Sequence, residues 1–168
     1  SLLRLLAATP AMPQTTSADG PASDSAEEVT ITQDADFLRL ATSASIFEIR
    51  SSEMARDKAV SEGVKTFAER MIADHTAAAQ QLAQAAGVAV PDFATDLSGQ
   101  LEPADAERLS GLEAAGDAAF ERAYIDAQRQ AHEQAIALFQ TYATNGEAGA
   151  VKDFAEATVP KLQEHFEM

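Results

Sequence analysis

Three histidines hold most of the chemistry open to this chain, because it has no cysteine. Without thiols there is no disulfide, no thiolate nucleophile, no covalent c-type haem attachment and no cysteine-ligated zinc. An imidazole can still ligate a metal, move a proton or satisfy a polar core. His75 lies in the stretch VKTFAERMIADHTAAAQQL, residues 64–82. Its apolar residues Val64, Phe67, Ala68, Met71, Ala78 and Leu82 recur with the period of an amphipathic helix. His75 continues that row, within about 20° of Val64 at 100° per residue. Glu48 falls in a second stripe, made by Phe37, Leu40, Ala41, Ala44, Phe47 and Ala55, about 20° from Phe37. His165 shares a face with Phe154 and Leu162. His132 stands at the edge of its stripe, beside Ile125, Ile136 and Phe139.

At 1.5 Å per residue, Glu48 lies roughly 20 Å along the first helix and His75 roughly 16–18 Å from the end of the second. His132 and His165 come to roughly 20 and 28 Å from the turn between the last two helices. The four side chains therefore fall in one slab, on four different helices. A mononuclear site of two or three imidazoles with Glu48 would suit Zn²⁺, Cu²⁺ or Fe²⁺ with an open position. A di-iron carboxylate centre needs Glu-x-x-His pairs. Ile72, Arg129 and Leu162 stand three residues before the histidines, which argues against that centre. His132-Glu133 begins a zinc-protease motif that Ile136 breaks. A bis-histidine haem on His75 and His165 lacks large apolar residues to line a porphyrin. The competing reading is a buried polar core without metal. Glu48 would then pair with His75 or accept from Tyr124, His132 would face solvent, and Asp74, Glu133 and Glu164 would be solvated. No phosphate loop or nucleophile elbow is present.

The elements that position these residues are helices. The chain has 168 residues, 46% of them hydrophobic but only 6% aromatic, and alanine is common. Such a composition favours close-packed helices over strands. Four long amphipathic helices follow one another from Asp34 to Met168, the bundle domain. Asp34 or Asp36 is predicted to cap the first, Ser61 or Asp57 the second, and Asp117 the third. Gly87 should end the second helix and Pro103 should start a short extra one. Pro160 removes a backbone donor inside the last and predicts a kink. The connection from Gly87 to Gly116 is long enough to cross the bundle, so the second and third long helices should run parallel. The fold class predicted is all-α, a ferritin-like four-helix bundle with a long crossover between helices two and three. Residues 1–33 read as an N-terminal segment and linker, with Leu2, Leu3, Leu5 and Leu6 as a signal remnant or an apolar turn that packs on this or a neighbouring molecule.

The balance of 12 basic and 27 acidic residues, net −15, disfavours nucleic acid as a partner. No run reaches the roughly 20 apolar residues of a transmembrane helix. The motifs Glu48-Ile49 with Met54-Ala55, Phe67-Ala68 through Met71 to Asp74-His75, Gly87-Val88 with Pro91, Phe120-Glu121-Arg122-Ala123-Tyr124, His132, and Pro160 through Glu164-His165 resemble the bacterial domain-of-unknown-function family 4142. Glu121 stands where the family pattern has Asp. The resemblance implies a ferritin-like bundle and an exported protein, in the periplasm or associated with the outer membrane. It implies no known activity. Two functions follow as expectations. One is an exported bundle that binds a divalent metal ion (Zn, Cu or Fe) through Glu48, His75, His132 and His165. The other is a non-enzymatic envelope or stress-related structural protein with a buried polar core. The latter would have an envelope protein partner, or self-associate through the N-terminal segment.

Overall fold

The computed structural model describes residues 31–59 and 61–168, and among these residues the chain is all-helical, with five α-helices and no strand. They are α1 (Asp34–Lys58), α2 (Glu62–Ala86), α3 (Pro103–Ala114), α4 (Asp117–Asn145) and α5 (Ala150–Glu167), with a 3₁₀ turn at Ser98–Gln100. The expectations for Leu2, Leu3, Leu5 and Leu6 lie outside the described residues.

Helix ends follow from local chemistry, with two corrections. Gln33, not an aspartate, is the N-cap of α1. Asp34 and Asp36 sit in its first turn, where the helix dipole favours carboxylates. The Asp34 carboxylate instead accepts the Tyr142 hydroxyl, tying the start of α1 to the end of α4. Gly116 precedes α4, and Asp117 is its first residue rather than its cap. Ser61 caps α2 as expected, its hydroxyl accepting from the Val64 amide at 3.3 Å. Gly87 ends α2 in the left-handed region, φ 66°. The Val88 amide then reaches back to the Ala83 carbonyl at 3.0 Å, a Schellman closure. Pro103 opens α3, and α5 runs on through Pro160.

Side chains from opposite chain ends define the helix directions. Phe37 of α1, Leu82 of α2, Tyr142 of α4 and Val151 of α5 share one apolar cluster. Phe47 and Ala55 of α1, Ala68 of α2 and Phe120 and Tyr124 of α4 share another. The start of α1 thus meets the ends of α2 and α4, so α2 and α4 run in the same direction and α1 runs against both. α1 packs on α2 and α4, and α5 packs on α4 and α2. α3 covers α1: the buried Ser43 hydroxyl donates to Asp105 at 2.5 Å and accepts the Glu102 amide at 2.8 Å. Arg108 pairs with Asp105 at 2.7 Å and stacks over Phe47, its guanidinium 5.2 Å from the ring centroid. Outside the two apolar clusters the core also buries polar residues, Glu48, Ser51, His75, Gln128, His132 and His165, beside apolar ones such as Ile49 and Met71.

Candidate metal centre

Three helices each bring one imidazole to that polar set: α2 carries His75, α4 carries His132 and α5 carries His165. Their exposures are 7%, 2% and 4%, so the rings are shielded from bulk water. Ring centroids are 5.7 Å apart for His75 and His132, and 5.6 Å apart for the other two pairs. That is a nearly equilateral triangle. Three imidazoles on one tetrahedral ion, bonded at about 2.0–2.1 Å, hold their centroids about 5.2 Å apart and their nitrogens about 3.4 Å apart. One nitrogen from each ring lies within 4.8 Å of the others. The rings already stand at nearly the right spacing, and small rotations would close the nitrogens onto an ion.

Hydrogen bonds fix which nitrogen is free on two of the rings. His132 Nδ1 lies 2.9 Å from the Gln128 carbonyl, an acceptor only, so Nδ1 carries the proton and Nε2 keeps its lone pair. His165 Nε2 lies 2.8 Å from Asp74 Oδ2, which leaves Nδ1 bare by the same argument. His75 Nε2, His132 Nε2 and His165 Nδ1 are all buried without a hydrogen-bond partner. Burial lowers the pKa of all three, His75 to about 3 and His132 to about 4, where neighbouring imidazoles add to the effect; at His165 burial outweighs the opposing Asp74 carboxylate. At neutral pH the rings are uncharged, the form in which imidazole ligates metal.

Asp74 is the residue the sequence reading passed over. It appeared solvated because it stands about 100° around α2 from His75. Its partner comes instead from α5. Burial works to raise the Asp74 pKa, but hydrogen bonds from His165 and Lys161 outweigh it and hold the carboxyl below its usual range. Lys161 Nζ lies 3.2 Å away and Arg70 Nε 3.4 Å away, and Arg70 also pairs with Glu164. No spacing rule within one helix could have signalled this contact.

Glu48 is buried, at 3% exposure, as expected, but its neighbour is His132 and not His75. Its Oε1 lies 3.4 Å from His132 Nδ1, and its Oε2 has no partner. The group of candidate ligand atoms within mutual reach, carboxylate oxygens being eligible, consists of the three histidines and does not include Glu48. Charged, Glu48 and His132 would form an ion pair. Burial instead pushes the Glu48 pKa up to about 8, against a smaller opposing effect of the Gln128 hydrogen bond, while it lowers that of His132. We take both as neutral at pH 7, because desolvation of two dry groups outweighs a contact of this length. His132 is buried, at 2% exposure, rather than on a solvated face. Tyr124 bonds Ser52 at 2.8 Å rather than Glu48. A cavity of about 40 Å³ borders Glu48, Asp74, His75 and His165. It has room for water beside the imidazoles.

The fold and this cluster characterise an all-helical protein with a three-histidine centre. The chain matches the family described as Domain of unknown function (DUF4142) over residues 18–168, and it belongs to that family. No curated protein and no solved structure matches it.

Proposed function

We propose that this protein binds one divalent transition-metal ion through His75, His132 and His165, within a ferritin-like four-helix bundle formed by α1, α2, α4 and α5. The observation that carries the reading is the cluster of three buried imidazoles, each with an unpartnered ring nitrogen, whose rings bring one nitrogen apiece within 4.8 Å of one another. A polar core that served packing alone would satisfy its own donors and acceptors, because an unpaired buried polar atom costs about 1–3 kcal/mol. An ion accounts for all three lone pairs at once. Neutral nitrogen donors suit Zn²⁺, Cu²⁺ or Fe²⁺. Asp74 behind His165 and the Gln128 carbonyl behind His132 are the outer partners that orient ligating imidazoles in metal sites. Glu48 is the reserve ligand: an ion of charge two beside it would favour its carboxylate form. The ring of packed helices, with α2 and α4 parallel and joined by a long crossover, supports the bundle.

The deciding experiment is metal analysis of tag-free protein after equilibrium dialysis against Zn²⁺, Cu²⁺ or Fe²⁺. One equivalent should be retained, and His75→Leu or His165→Leu should lose it. Retention of no metal, or equal retention by both variants, would leave a hydrated polar core as the correct reading. An exported location, implied by the family resemblance, belongs to the same proposal and fits ligands that are not thiols. Recovery of the chain in the cytoplasmic fraction alone would count against it.

A further inference from the structure

On the side of the cluster away from His75, a pocket of about 450 Å³ opens between α2, α4 and α5, with His132 and His165 in its lining. Its walls are mostly apolar, with Val64 and Phe67 from α2, Ile125 from α4 and Phe166 from α5, and the exposed Arg129 of α4 also borders it. The two histidines are buried, whereas Ile125 is 44% and Phe166 36% exposed, so the imidazoles form the floor and these apolar side chains form the mouth. Gln128 also borders the pocket, and its Oε1 is buried without a hydrogen-bond partner. Pockets of this volume, mostly apolar with a few convergent polar atoms, have the size and character of small-molecule sites. Three protein ligands also leave a tetrahedral ion one position short.

We infer that this pocket binds a small, largely apolar molecule whose oxygen donor completes the coordination of the ion. The inference rests on the three-histidine reading above. The apolar body lies against Phe67, Ile125 and Phe166. The oxygen reaches the ion past His132 and His165, and an adjacent N–H or O–H donates to Gln128 Oε1. A hydroxamate has this arrangement of groups: a metal-seeking oxygen beside an N–H and an O–H.

The test uses the full chain loaded with Co²⁺, whose visible bands report its coordination. Benzohydroxamate and acetohydroxamate are titrated in turn. They share the metal-binding group and differ in the apolar body. Benzohydroxamate should bind at least about tenfold tighter, as expected for burial of a phenyl ring. Ile125→Asn and Phe166→Ser change exposed positions, so the fold and the Co²⁺ affinity should stay as they are while the ratio falls toward one. Equal affinity for the two probes overturns the inference, as does a ratio that neither variant alters, or a probe that strips the cobalt. In each of those cases cobalt binding by the untreated protein leaves the metal reading standing. Failure to bind cobalt at all overturns both.

Discussion

Asp74 sits on α2 but acts on an imidazole of α5. Its carboxylate holds the His165 proton on Nε2 and is itself held by Lys161 and Arg70. Asp74→Ala should keep the fold, since the side chain is 28% exposed. It should weaken metal binding about 10–100-fold by releasing the ring. A chelator competition against wild type measures this, and unchanged affinity would remove Asp74 from the site. Glu48 and the histidines make a second prediction, for the metal-free protein. All three histidines have folded pKa values below their unfolded ones, so their contribution is present above about pH 6.5 and falls with pH below it, for His75 and His132 toward pH 3–4. Glu48 is shifted the other way, from 4.5 to about 8. Its contribution is present below about pH 4.5 and lost as pH rises through 8. Stability should therefore peak near pH 6.5 and change by about 1.4 kcal/mol per pH unit per proton on either side. Urea titrations from pH 4.5 to 8.5 in the presence of chelator test it. Glu48→Gln should abolish the decline above pH 6.5 and leave the acid limb. The depth of these residues was legible in the sequence, because helical phase tells which way a side chain points. It does not tell which neighbour it meets. Glu48 therefore found His132 rather than His75, and Asp74 found a ring three helices along the chain.

Helices were the most legible part of the molecule. Amphipathic spacing located α1, α2, α4 and α5, and Gly87 and Pro103 marked real boundaries. Caps were less so, because several aspartates near a helix start compete for one role, and Asp34 was drawn off by Tyr142. Two glycines end helices here for different reasons. Gly87 has φ 66° with open space around its missing Cβ, so Gly87→Ala should cost about 1 kcal/mol in backbone strain alone. Gly146 has an ordinary φ of −66°, but a Cβ there would meet the Tyr142 ring and carbonyl at 2.6 Å. Gly146→Ala should cost about 1–3 kcal/mol, because the stacked Phe37–Tyr142 pair must shift. Denaturant midpoints of the two variants compare them. A smaller loss at Gly146 than at Gly87 would show that Tyr142 yields easily.

At the scale of the whole molecule, the core holds two apolar clusters and a buried polar set. The polar set gives up hydrophobic contact within the core, so the metal-free protein should be the less stable form. An ion at one hundred times its dissociation constant adds about 2.7 kcal/mol, a gain visible as a raised thermal midpoint. That gain should vanish in His132→Leu; an equal rise in that variant would mean the ion acts elsewhere.

The three histidines come from three helices widely separated in the chain, and this gives the centre a topological role. An ion bound to all of them closes two long loops at once, with the effect that a cross-link has on an unfolding chain. A protein without cysteine would thus possess a staple that forms and opens with metal supply rather than with redox state. The helices must part at this point before the chain can open fully, so the ion should slow unfolding more than it speeds folding. Chelator addition should accordingly raise the rate at which a protease cuts α5 away from α2 and α4.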